Sequence, residues 1–127
     1  MTLQIRDREL DRLENLWDDG LADAYRLYQH DVTHFAPEIR PKLALAAALI
    51  EVGLRVQGLG HPAAPPATLL IGDLCLARGS RLLADHAPLA IQVAFARAIE
   101  STSARAAAGE PAPELRQVLQ RALGTSR

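Results

Sequence analysis

The sequence predicts an all-α protein, and three observations support that prediction. Apolar residues recur every three or four positions through most of the 127 residues, and no segment alternates apolar with polar residues for long. Apolar residues make up 49% of the chain and only 4% are aromatic, so Leu, Ala, Val and Ile must fill the core. The length suits one domain with a modest core. We therefore expect a single-domain helical bundle over residues 1–127.

Two helical regions are predicted in the N-terminal half. The first covers residues 7–30 with a break at Gly20, because glycine suits a helix end and the aspartates before it suit an N-cap. After the break, helical phase turns Tyr25 and Tyr28 inward. The second region covers residues 38–57, and the nearby prolines fit only at its start, where a missing N–H costs little.

Three more helices are predicted after a proline- and glycine-rich loop at residues 58–67. Thr68 is the expected N-cap of a helix that ends at residue 85. Pro88 suits the first turn of the next helix, which covers residues 89–107. A short last helix covers residues 114–123, and we place a disordered tail at residues 122–127.

Two of these helices, at residues 43–56 and 69–83, are apolar on nearly every side, and Glu51 and Arg55 are the only polar side chains of the first. A helix of this kind lies at the centre of a large protein or is covered by a partner. A domain of 127 residues is too small to bury both with its own amphipathic neighbours. We therefore expect an interface with another chain.

Composition argues against several classes of function. The formal net charge of −1 gives no attraction to nucleic acid or to an anionic membrane surface. We expect neither a membrane span nor a secretory signal, and hence a cytoplasmic protein, because no apolar run approaches roughly 20 residues. The single cysteine, Cys75, predicts a small buried side chain rather than a disulfide or a metal thiolate.

The stretch HDVTH at residues 30–34 has the i, i+4 histidine spacing of a helical zinc site. Asp31 is one carbon shorter than the glutamate that acts as base in such sites, and Pro37 ends the helix soon afterwards. These features favour an ordinary solvated helix end. A small metal hydrolase built on His30, Asp31 and His34 is kept as a third alternative, and otherwise we predict no catalytic and no metal-binding residue.

Three segments resemble the all-trans polyprenyl diphosphate synthases. The sharpest is GDLCLARGSRLLA at residues 72–84, which is similar to a helix that lies at the subunit interface of that family. IRPKLALAAALIEVGL, at residues 39–54, resembles the family's R-P helix, and PLAIQVAFARAIESTSARAAAGEP, at residues 88–111, resembles the helix after the G-D run. The resemblance implies part of the isoprenoid synthase fold.

The catalytic members carry a D-D-x-x-D motif between those first two helices, where this chain has no aspartate between Pro41 and Asp73. The chain therefore resembles the small, non-catalytic subunit of the heterodimeric hexaprenyl and heptaprenyl diphosphate synthases. The resemblance implies that a large catalytic subunit binds Mg²⁺ and the diphosphate substrates, and that this chain holds no cofactor. It also implies that the small subunit shapes the product tunnel and the chain length of an isoprenoid for quinone side chains, such as that of menaquinone.

One helix of this chain is the predicted partner interface. Its glycines would allow a close backbone approach to the catalytic subunit, while Ile71, Leu74, Cys75 and Leu82 would face the chain's own core. A monomer in which all of these are ordinary core residues is one alternative, and a non-enzymatic helical protein that self-associates through its apolar helices is another. The predicted interface or tunnel residues are Leu69, Gly72, Asp73, Leu76, Ala77, Gly79, Ser80 and Leu83.

Overall fold

The fold is known from a computed structural model, which describes residues 20–56, 66–110 and 114–124. Within those ranges the chain forms five α-helices and no strand, which confirms the all-α prediction. None of these helices is both long and apolar enough to cross a membrane. The helices are α1 (Ala22–Gln29), α2 (Arg40–Val56), α3 (Pro66–His86), α4 (Leu89–Ala107) and α5 (Leu115–Gly124).

The second helix, α2, lies at the centre of the molecule. Helices α1, α3 and α5 all contact it, and its most extensive contact is with α3. The sequence predicts that a chain of this length cannot bury both apolar helices. Helix α2 is largely buried, because small alanine and glycine side chains let its neighbours approach on several sides, whereas α3 keeps exposed residues. Its buried residues are Leu43, Ala44, Ala46, Ala47, Ala48, Leu49, Ile50, Glu51, Val52, Gly53 and Leu54.

Several helix ends agree with the sequence patterns. Gly20 has φ of +144°, a conformation that glycine adopts readily, and α1 begins just after it, as predicted for the helix that follows Gly20. Tyr28 is buried and Tyr25 is half-buried, as their helical phase indicates. Helix α4 spans Leu89–Ala107, the predicted range, with Pro88 as its N-cap. The N-terminal part of the first predicted helix, residues 7–19, lies outside the described residues.

Two predicted boundaries need correction. Helix α3 begins at Pro66, so Thr68 lies inside the helix and is not its N-cap. Proline serves as a helix start because its fixed φ and missing N–H match the first turn. Ala122 and Leu123, assigned above to a disordered tail, are buried in α5 on the apolar face that meets the core. The start of the tail at residue 122 is therefore wrong for residues 122–124.

Candidate functional site

The glycines of α3 lie against α2 of the same chain. A Cβ added to Gly79 would stand 2.8 Å from Cγ1 of Ile50 and 3.0 Å from the carbonyl oxygen of Ala46. On the facing helix, a Cβ added to Gly53 would stand 3.0 Å from the carbonyl oxygen of Gly72. A real Cβ atom rarely lies this close to a carbon or oxygen atom of another residue. The backbones of α2 and α3 are therefore in close contact at both glycines. These glycines therefore serve an intramolecular contact.

This contact divides the eight residues predicted for the partner interface. Gly72, Gly79 and Leu83 are buried, and Leu69 and Leu76 are half-buried. Within this chain, α2 occupies the space beside Gly79, and the carbonyl oxygen of Gly72 lies beside Gly53 of α2. A contact of either glycine with another chain stays a prediction. Cys75 is fully buried as expected, and burial raises the pKa of its thiol. More residues of α3 therefore face the chain's own core than its helical phase indicated.

The other three predicted residues, Asp73, Ala77 and Ser80, are exposed. With Leu70, whose exposed fraction is 51%, and Ala84 they form the outer face of α3, which is the name we use below. Residues 70, 77 and 84 stand seven positions apart, which places them along one side of the helix. This is the part of the predicted interface that remains at the surface.

The outer face continues into a groove between α3 and α4, which we call the α3–α4 groove. Its volume is about 400 Å³, and Phe95, with 1% of its surface exposed, lies at its base. Ser80 and Leu83 of the predicted set form part of its α3 wall. Because most of the lining is apolar, the groove suits hydrophobic side chains of a partner. Its lining residues are Ser80, Leu83, Ala84, Gln92, Phe95, Ala96, Ile99 and Glu100.

The HDVTH stretch forms turns after α1 rather than a helical pair of ligands. Asp31 accepts a hydrogen bond from Nε2 of Gln120 at 3.2 Å, and Nε2 of His34 donates to the carbonyl oxygen of Leu123 at 3.1 Å. His30 is exposed. Among the described residues, no group of three or more His, Cys, Asp or Glu is placed to share a metal ion. The observed contacts hold this turn against α5.

A buried polar cluster was not anticipated from the sequence, although Glu51 stood out as the lone acid of an apolar helix. Glu51 is 1% exposed, and its Oε1 accepts a hydrogen bond from the Tyr28 hydroxyl at 2.8 Å. Arg116 donates to both carboxylate oxygens, at 2.9 and 3.0 Å, and Arg55 lies 3.7 Å away. Each side chain of this cluster has a partner in it, and because the side chains come from three helices the cluster links α1, α2 and α5.

The cluster also changes the acidity of its members. Burial raises the pKa of the Glu51 carboxyl, but the hydrogen bonds from Arg116 and Tyr28 and the charge of Arg55 outweigh it and lower the pKa below its ordinary value. Burial raises the pKa of Tyr28, and the neighbouring Glu51 charge adds to that rise. Glu51 is therefore an anion and Tyr28 a neutral donor at neutral pH.

The three segments that carry the resemblance lie in consecutive helices. The R-P segment opens α2, the G-D run lies within α3, and the segment after it forms α4. Arg40 of the first segment donates to the carbonyl oxygen of Phe35 at 2.7 Å, which fixes the turn before α2. Comparisons with protein families, with curated proteins and with solved structures found no match. The described residues form a small helical domain with exposed apolar side chains on α3 and α4.

Proposed function

We propose that this chain is a non-catalytic subunit that binds the catalytic subunit of a trans-polyprenyl diphosphate synthase. The observation that supports it is the position of the G-D run: α3 joins α2 through its glycines and keeps an exposed outer face, with Leu70, Ala77 and Ala84 along it, beside the α3–α4 groove. A helix of the catalytic subunit would lie along that face. The proposal retains Asp73, Ala77, Ser80 and Leu83 from the predicted interface and assigns Gly72 and Gly79 to internal packing.

The proposed division of labour follows from the chemistry of the reaction. A growing isoprenoid needs a dry apolar wall, because water would compete for the reactive carbocation. Leu, Ala and Phe side chains along α3 and α4 offer such a wall, whereas Mg²⁺ and the diphosphates would be held by the catalytic subunit. The small subunit would then limit product length for a quinone side chain. We place the assembly in the cytoplasm.

Co-expression with a candidate catalytic subunit tests the proposal. Prenyl transfer with this chain present should give longer products, or higher activity, than the catalytic subunit alone. Ala77→Arg and Ser80→Arg should abolish co-purification, since each places a long cation on the outer face of α3. Ala104→Arg, at an exposed alanine of α4 that lines neither groove, is the matched control and should leave association unchanged.

Two results would contradict the proposal. Equal activity and equal product length with and without this chain would remove the functional role. Unchanged co-purification of Ala77→Arg and Ser80→Arg would move the partner to another surface. Circular dichroism of each variant separates loss of association from loss of folding, because both residues are exposed and neither substitution should alter helix content.

Self-association is a second candidate function, and the exposed apolar side chains favour it. Leu70, Leu89 and Val93 expose 51%, 73% and 39% of their surfaces. A second copy could cover them without any catalytic partner. Sedimentation equilibrium of the purified chain distinguishes the two functions: a dimer that persists at nanomolar concentration favours self-association, whereas a monomer at micromolar concentration argues against it.

A further inference from the structure

A second and larger groove lies between α4 and α5, on the side of α4 away from α3. Its volume is about 760 Å³, and we call it the α4–α5 groove. Its lining includes Leu89, Val93 and Val118, and two arginines, Arg97 and Arg121, also contribute to it. Leu89 is 73% exposed and Val93 is 39% exposed. An apolar groove with two cations at its wall therefore stands open on the described part of the chain.

We propose that residues 7–19 of the same chain, DRELDRLENLWDD, dock in the α4–α5 groove as an amphipathic helix. Leu10, Leu13 and Trp17 stand at i, i+3 and i+7, which would place them on one face of a helix. These three side chains match the apolar lining of the groove in chemistry. The docked segment would remove Leu89 and Val93 from water.

Charge favours this segment over a second copy of the chain as the occupant of the groove. Residues 7–19 contain six carboxylates and two arginines, so the segment is strongly acidic. The groove presents Arg97 and Arg121, which an acidic helix complements. Two grooves facing each other across a two-fold axis would bring the two copies of the exposed Arg97 together, and like charges at an interface are unfavourable. The groove therefore favours the acidic segment over its own copy.

The segment is followed by an element that is bonded to one of the two helices of the groove. Gly20, with φ of +144°, comes directly after it and leads into α1. Helix α1 has 8 residues and is therefore about 12 Å long. The turn that follows it is bonded to α5 through Asp31 and Gln120.

Fluorescence of the full-length chain tests the proposal, because Trp17 is the only tryptophan. In the wild-type protein, Trp17 should emit at shorter wavelength than in the urea-unfolded chain and should resist quenching by acrylamide. Val93→Lys and Arg97→Glu should each shift the emission toward that of the unfolded chain. Leu70→Lys, at a comparably exposed apolar residue on α3, is the matched control and should leave the Trp17 emission unchanged.

Each other outcome would overturn the proposal. Wild-type emission equal to that of the unfolded chain would show that Trp17 is in water. A protected Trp17 that neither Val93→Lys nor Arg97→Glu affects would place the segment elsewhere. Protection that disappears on dilution would mean that the segment comes from a second copy. Both groove residues are exposed, and helix content by circular dichroism identifies any variant that fails to fold, in which case the other variant decides.

Discussion

The α2–α3 pair and helix α4 show opposite ways of using an apolar helix. In the α2–α3 pair, glycine lets the two backbones meet, and almost the whole of α2 is removed from water. Helix α4 contacts its neighbours through fewer residues and has a groove on each side. The comparison teaches that hydrophobicity alone does not identify an interface. The position of the small residues decides which apolar face closes internally and which remains at the surface.

The largest effect should come from the buried cluster around Glu51, which joins the central helix α2 to α1 and α5. Arg116→Met removes the two hydrogen bonds to Glu51 and leaves a carboxylate that is 1% exposed with Arg55 as its remaining cation. Breaking a buried ion pair in this way costs about 3–5 kcal/mol. Urea unfolding at neutral pH measures the loss. Arg105→Met, at an exposed arginine of α4, is the control and should stay within about 0.5 kcal/mol of wild type.

Equal stability of Arg116→Met and Arg105→Met would contradict this account of the cluster. Such a result would mean that water solvates Glu51 once Arg116 is removed.

A smaller loss of stability is expected from a substitution where the backbones of α2 and α3 meet. Gly79→Ala adds a Cβ at 2.8 Å from Ile50 and 3.0 Å from the backbone oxygen of Ala46, and the oxygen cannot move without the helix. Overpacking costs about 1–3 kcal/mol. Higher helix propensity returns about 1 kcal/mol of that cost. Thermal unfolding should therefore show a net loss of stability, and Gly79→Leu should lose more.

Gly124→Ala is the matched control for this substitution. Gly124 is also helical, but a Cβ there meets nothing within 4 Å. The control should be neutral or slightly stabilising, since alanine favours the helix. A Gly79→Ala protein as stable as Gly124→Ala would show that α2 and α3 can separate at little cost. The contrast between the α2–α3 pair and helix α4 would then be weaker.

Much of the fold could be predicted from the sequence because helical periodicity and proline positions are local signals. The range of α4 and the start of α1 just after Gly20 followed from such signals. The N-cap of α3 was wrong because threonine and proline compete for a helix start, and proline at position 66 needs no partner for its nitrogen. The tail was placed too early because a short helix acquires its stability from tertiary contacts, as Leu123 shows.

The candidate site was less predictable, since it depends on which helix faces which. Helical phase grouped Gly72 and Gly79 correctly on one face, but phase does not say whether a partner or the same chain covers that face. The contact of Gly79 with Ala46 requires knowledge of how α3 crosses α2. The pairing of Glu51 with Arg116 joins residues 65 positions apart, and no local pattern reports it.

Acid should lower the free energy of unfolding in part by protonating Glu51, and a comparison with Arg116→Met identifies that part. Its folded pKa is below its ordinary value, so its contribution is complete above the unfolded-state pKa and is lost as the pH falls through the folded pKa. Arg116→Met removes a main cause of that lowering. The difference in stability between wild type and Arg116→Met should therefore shrink between neutral pH and about pH 4. Urea titrations at both pH values measure it, and a constant difference would assign the acid sensitivity to other groups.

The smallest effect should come from an exposed ion pair on α3, which tests whether burial is what gives the Glu51 cluster its strength. Arg81 donates to Asp85 at 3.1 Å one helical turn away on α3, but the two side chains are 79% and 49% exposed. Solvent and salt screen such a pair, so Arg81→Gln should cost at most about 0.5 kcal/mol and nothing measurable in high salt. Urea unfolding at low and high salt checks both statements. A cost similar to that of Arg116→Met would show that arginine–carboxylate geometry, and not burial, determines the strength of the two ion pairs.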